Sequence, residues 1–233
     1  MLLSSPGWCC STAVLMVVGV GGCSATPSPP FPAGTDSASE VPPPPLSNPA
    51  TIVGRLPRAT DEIPSVIALR SETPGMYTPQ TASPMMDQVA HVFTPGVLVV
   101  RTGQPANFRN DDDVLHNVRV RERDREGDVN EWIFNVVLPQ GGMFVHTFER
   151  EGVYDVRCDM HQSMWARVVA TSTPYSAVAD RDGSFRIDGV RPGAYRALVY
   201  AGRRTLERAF EVGEGQQFEL LMAEGDGRVG TSP

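Results

Sequence analysis

From Thr51 onward, hydrophobic and polar residues alternate over short runs broken by Gly, Pro, Asn and Asp, and no stretch keeps a helical period. The runs are TIVGRL (51–56), SVIALR (65–70), VLVVR (97–101), HNVRVR (116–121), WIFNVV (132–137), MFVHTFE (143–149), GVYDVR (152–157) and WARVVAT (165–171). They predict an all-β body, and so many short strands suit a sandwich. In the run from Gly152, the period of two puts Tyr154, Val156 and Cys158 on one face and Asp155 and Arg157 on the other. Cys158 is therefore expected to point into a core. A further β-rich stretch, YSAVADRDGSFRIDGVRPGAYRALVY, begins at Tyr175. Its turn signals are Asp182-Gly183 and Pro192-Gly193, and Phe185, Ile187 and Tyr195 are its expected core residues.

Ahead of the body the pattern changes. Ala13 to Val20 is an apolar run too short to span a bilayer and reads as the hydrophobic part of a secretory leader, although no Lys or Arg occurs before Arg55. Val20-Gly-Gly-Cys23-Ser24 then looks like a bacterial lipobox, in which Cys23 would carry the lipid; the alternative is an ordinary leader that happens to contain a cysteine. Thr26 to Ala50 is rich in Pro, Ser and Ala and has no apolar periodicity, as expected of an extended tether. Ser24 after the cysteine resembles outer-membrane sorting in Gram-negative bacteria. The expected organisation is a leader with lipobox (1–23), a Pro-rich linker (24–50), N-terminal strands (51–84), a first domain (85–173) and a C-terminal module (174–226). The expected location is the periplasm or cell envelope.

The formal charge of -7 argues against a nucleic-acid partner, because a phosphate-binding face needs a basic excess. Of the four cysteines, Cys9, Cys10 and Cys23 fall in or at the end of the leader, which leaves the body with Cys158 alone. A single thiol in an oxidising compartment is either inert and buried or has a chemical task. Its surroundings favour the task. Residues 158–164 read CDMHQSM, so Cys158, His161 and Met164 recur at every third position and one tight loop can turn all three onto an ion. His116, in the string LHNV, supplies a fourth donor. Two imidazoles, a thiolate and a thioether are the donors of a mononuclear blue-copper site, with the methionine as its long axial ligand. The expected copper ligands are His116, Cys158, His161 and Met164.

LHNV, GVYDVRC and the C-x2-H-x2-M loop resemble the corresponding strings of the plastocyanin- and amicyanin-like cupredoxins, over roughly residues 85 to 171. The resemblance implies a Greek-key β-sandwich with one type 1 copper per chain. It further implies single-electron transfer between transient redox partners rather than an enzymatic reaction. It gives Asn117 the task of tying the two ligand loops together beside the sulfur. Asp159-Met160 departs from the small or proline residues usual after the cysteine, which bears on the reduction potential. Asp180, Gly183, Phe185, Val190, Pro192, Gly193 and Tyr195 resemble the motif of carboxypeptidase regulatory-like, transthyretin-like β-sandwiches. Since about fifty residues are few for a sandwich, and such modules open with two strands, residues 51–72 are expected to complete the module with the copper domain inserted. Two domains in sequence are the alternative. The combination resembles plastocyanin-like proteins, some of them linked with methylamine utilisation.

Other functions fare worse. A multicopper oxidase needs more histidines than the four present, and a Cys/His hydrolase needs a solvent-facing thiol. A non-redox copper protein for storage, delivery or sensing could use the same ligands, and an interaction module could keep the fold. His146 shares a strand face with Phe144 and Phe148 and reads as packing; the sequence leaves His91 undecided between a place near the metal and the surface. Asp111-Asp112-Asp113 could steer a cationic partner or simply be solvated. Trp165 is expected in core packing rather than over the metal.

Overall fold

The computed structural model describes residues 48–59, 62–73, 75–124 and 129–222, and the leader, Cys23 and most of the linker lie outside them. The alternating runs form sixteen strands, with no helix among the described residues. In chain order they begin with β1 (Ala50–Arg55), β2 (Val66–Ser71), β3 (Met85–Val89), β4 (Val92–Thr94), β5 (Val97–Arg101) and β6 (Pro105–Asn110). Next come β7 (His116–Arg123), β8 (Val129–Leu138), β9 (Met143–Thr147), β10 (Gly152–Arg157) and β11 (Trp165–Thr171). The last are β12 (Ser176–Val178), β13 (Ser184–Val190), β14 (Gly193–Ala201), β15 (Arg204–Val212) and β16 (Gln217–Leu221).

These strands make two sandwiches. The central one packs a five-stranded sheet, ordered β5-β11-β10-β7-β8, on a four-stranded sheet, ordered β4-β3-β6-β9. Its core joins Met86, Phe93, Leu98, Phe108, Val118, Val120, Tyr154 and Val156 to Cys158 and Met164. The flanking sandwich packs β13-β1-β16 on β12-β2-β14-β15, so its strands come from both sides of the central one in sequence. Its core includes Ile52, Leu69, Phe185, Ile187, Tyr195, Val199 and Leu220. β1 lies antiparallel to β13 and parallel to β16. At Gly54 a Cβ would lie 1.9 Å from the Leu220 carbonyl oxygen, so the approach of β1 to β16 needs a glycine there.

Strand parity explains how the sandwiches join. β10 buries Tyr154 and Val156 in the central core, yet its opposite face is also covered: Val153 packs with Val97 and Val169 against Ile63, Val66, Ala68, Leu198 and Tyr200 of the flanking side. Asp155, on that same face, is buried as well and takes both its bonds from Arg123 Nη2, at 2.7 and 2.8 Å. Arg70 Nε of β2 reaches Glu151 of the β9–β10 connection at 2.5 Å, a polar clasp at the rim of the apolar joint.

Candidate metal centre

At one pole of the central sandwich, the start of β7 meets the loop that follows β10. β7 opens with His116 and Asn117, both buried. The chain leaves β10 at Arg157 and returns as β11 at Trp165, and the seven residues between form a closed loop. The Cys158 N–H donates to the Met164 carbonyl at 3.2 Å, and the Met164 N–H donates to the His161 carbonyl at 2.9 Å. This closure turns Cys158 and His161 toward His116. His116 Nδ1 and His161 Nδ1 lie 2.9 Å apart, and Cys158 Sγ is 3.8 Å from the first and 3.7 Å from the second. Met164 is 1 % exposed and belongs to the same buried cluster as Cys158, which is 2 % exposed.

Those separations can be tested against what one ion demands. Donor atoms about 2.0–2.3 Å from a shared tetrahedral or trigonal metal lie roughly 3.3–4.0 Å from each other. The two distances to the sulfur, 3.7 and 3.8 Å, fall in that range, and the nitrogens, 2.9 Å apart, need to separate by only about 0.4 Å to share one ion. Two imidazole nitrogens and a sulfur are also the donor types that copper takes in both oxidation states.

The surrounding groups orient the donors. Asp112 Oδ2 lies 2.8 Å from His116 Nε2, so that nitrogen carries the proton and Nδ1 presents its lone pair to the site. Burial alone would raise the Asp112 carboxyl. The backbone N–H of His91, the His116 ring and the backbone N–H of Ala90 outweigh it and hold the carboxyl below the usual range. Asn110 anchors Asp112 in turn: its Oδ1 accepts the Asp112 N–H at 3.0 Å, while its Nδ2 donates to the Val114 and Leu138 carbonyls, both at 2.9 Å. Asn117 Oδ1 accepts the Asp159 N–H at 2.7 Å and lies 3.3 Å from Cys158 Sγ, which ties the β7 start to the loop beside the sulfur. Asn117 Nδ2 donates to Asn135 and to Asp159, whose other oxygen pairs with Arg119. Burial, followed by the His116 and His91 imidazoles, lowers the proton affinity of His161 and favours its neutral, ligating form.

His116, Cys158, His161, Met164 and Asn117 thus meet at this pole, whereas Cys23 lies outside the described residues. His146 is elsewhere, its ring 4.7 Å from both Phe134 and Phe148, and burial lowers its proton affinity. Trp165 is half-buried, with the Arg157 guanidinium 5.1 Å above its ring. Sequence reasoning left one neighbour of the site undecided. His91, exposed at the β3–β4 turn, has its ring 5.4 Å from His116 and 4.7 Å from His161, and ligating nitrogens of the three histidines all lie within 4.8 Å of one another.

Residues 81–171 match the family of copper binding proteins described as plastocyanin/azurin. Residues 160–209 match polysaccharide lyase family 4, domain II, a match that begins inside the metal loop and runs into the flanking sandwich. Among solved structures, a purple cupredoxin from Nitrosopumilus maritimus is 28% identical over 38% of this chain and 99% of its own, with a TM-score of 0.32. A Cu(I) methionine-to-alanine mutant of amicyanin is 20% identical over 45% of this chain and 97% of its own, with a TM-score of 0.33. A reduced tryptophan-to-tyrosine mutant of amicyanin is 22% identical over the same shares, also with a TM-score of 0.33. No curated protein matches the chain.

Proposed function

We propose, from the premise that residues 81–171 are a cupredoxin domain of the plastocyanin/azurin copper-binding family, that this protein carries single electrons between redox proteins on one type 1 copper. His116, Cys158 and His161 would hold the metal, with Met164 as the weak axial donor. The observation that carries the reading is the spacing of the three donor atoms, 2.9, 3.7 and 3.8 Å, close to that of ligands on one ion. Bound there, copper would supply a one-electron couple between Cu(II) and Cu(I).

The protein's own residues make such a couple fast by changing little. Asp112 fixes the His116 ring, and Asn117 restrains the sulfur and the loop that carries it. Cys158 and Met164 are held in the packed core, where side chains have little room to relax and water is excluded. His161 is only half-buried, which makes its outer edge the route by which an electron leaves. Contacts with partners at such an edge would be small and transient, below about 1,200 Å².

The same reading places the protein in the periplasm or cell envelope. Cys23 would be lipidated and residues 24–50 would serve as the tether, so that one anchored carrier could visit several partners. Replacing Cys23 with alanine tests this: the variant should leave the membrane fraction, and continued sedimentation with membranes would refute the anchor.

Voltammetry of the copper-loaded protein tests the redox claim. Fast, reversible one-electron reduction with an unchanged spectrum after many cycles is expected. Slow or irreversible reduction, or release of copper on reduction, would instead favour storage or delivery.

A further inference from the structure

The β3–β4 hairpin turns at Ala90 and His91, whose φ angles are 52° and 59°. Two consecutive left-handed residues are the geometry of a tight hairpin turn, normally filled by Asn-Gly or Asp-Gly because a Cβ is disfavoured there. Here two residues with side chains occupy it. What compensates is Asp112, which accepts the backbone N–H groups of Ala90 at 2.5 Å and of His91 at 2.9 Å. The same carboxylate receives His116 Nε2. One buried acid therefore fixes both a ligand of the metal centre and the turn that carries a third histidine over it.

The three rings pack together, largely edge to face. His91 stands nearly perpendicular to both neighbours, 84° from His116 and 86° from His161, and those two are inclined at 66° with centroids 4.6 Å apart. Their ligating nitrogens lie within 4.8 Å of one another, so His91 has to close by about 1 Å to join an ion held by the other two. His91 is also exposed, and the ring contacts it makes are with His116 and His161, so solvent leaves it room for that adjustment. A plain surface histidine would explain neither the costly turn nor its tie to the His116 carboxylate.

We propose that His91 is a further copper ligand, a third imidazole added to His116, His161, the Cys158 thiolate and the weak axial Met164; this rests on the copper reading above. Imidazole suits Cu(II), whereas the soft thioether of Met164 suits Cu(I). A third imidazole therefore holds the oxidised state and lowers the reduction potential relative to the same site without it.

Pulsed EPR of the Cu(II)-loaded full chain, which counts coordinated imidazoles, tests the inference beside His91→Gly. Glycine suits the left-handed turn, so the fold is kept. The unsubstituted protein should show three imidazoles. The variant should show two, keep its thiolate band and have a higher midpoint potential, and free imidazole should restore both the third nitrogen signal and the lower potential. Two imidazoles and the same midpoint in both proteins, with the thiolate band present, would overturn this inference alone. A protein that binds no copper, or binds it without a thiolate band, would overturn the copper reading and this inference with it.

Discussion

Both sandwiches pin one corner with the same device. Tyr154 donates its hydroxyl to the Arg150 carbonyl at 2.8 Å, and Tyr195 donates to the Arg191 carbonyl at 2.9 Å, each four residues upstream. Both cores are otherwise layers of apolar strand faces. They part at one pole of the central sandwich, where Asn110, Asp112, His116 and Asn117 are buried together. All four histidines of the chain lie in the central sandwich, whereas Ser65 and Thr173, buried on the flanking side, each donate to a single backbone carbonyl, of Pro57 and Leu69. Burying polar groups is costly unless every one is bonded, and these are chained: Asn110 holds Asp112, Asp112 holds His116, and Asn117 holds the cysteine loop. The same architecture thus serves as a brace where its core is apolar. It becomes a candidate metal centre where it sustains a bonded polar network.

The contrast can be broken most sharply at Cys158. Cys158→Ser should abolish the thiolate-to-copper charge-transfer band completely while the thermal transition of the flanking sandwich stays in place, as followed by visible absorption and calorimetry. Asp112→Ala should come next. It removes the acceptor for His116 and for the Ala90–His91 turn, and loss of such an orienting partner typically lowers metal affinity about 10–100-fold; a competition titration with a chelator measures it.

Tyrosine substitutions ask whether the two sandwiches really share a corner. Tyr154→Phe and Tyr195→Phe should each cost about 1 kcal/mol in denaturant unfolding, the net worth of one hydrogen bond. Both should leave the copper spectrum unchanged. The smallest effect concerns the joint. Burial alone would raise the Glu151 carboxyl, but Ser172 and Arg70 outweigh it and hold it below the usual range. A carboxyl depressed in the fold contributes stability that is present above the unfolded value of about 4.3 and lost as pH falls through the folded one. Glu151→Gln should therefore weaken coupled unfolding of the two sandwiches by about 0.2–1 kcal/mol near pH 7, with the difference from the parent vanishing in acid.

The candidate ligand loop was legible in the sequence as a closed turn because its information is local: Cys158, His161 and Met164 at every third position, preceded by a strand whose parity directs Cys158 inward, where it is 2 % exposed. The all-β class was equally plain from the alternation. β3, β4, β6, β15 and β16 were not foreseen. β6 begins at a proline and alternates apolar with polar residues over only six positions, and the β3–β4 turn, Ala90-His91, contains no glycine or asparagine to mark it. That turn is stabilised from 21 residues away by Asp112, which looked like one member of a solvated acidic triplet. His91 stayed undecided for the same reason: its place depends on a long-range bond that no local pattern encodes. Trp165, expected in core packing, is half-buried and packs against the apolar joint between the sandwiches, with Arg157 over its ring.

The most direct test of a thiolate–imidazole copper centre at this pole is the combined visible and EPR spectrum of the Cu(II)-loaded protein beside its Cys158→Ser variant. An intense thiolate-to-copper charge-transfer band with one copper per chain, absent from the variant, is the predicted result. A pale tetragonal copper signal identical in both proteins would contradict it.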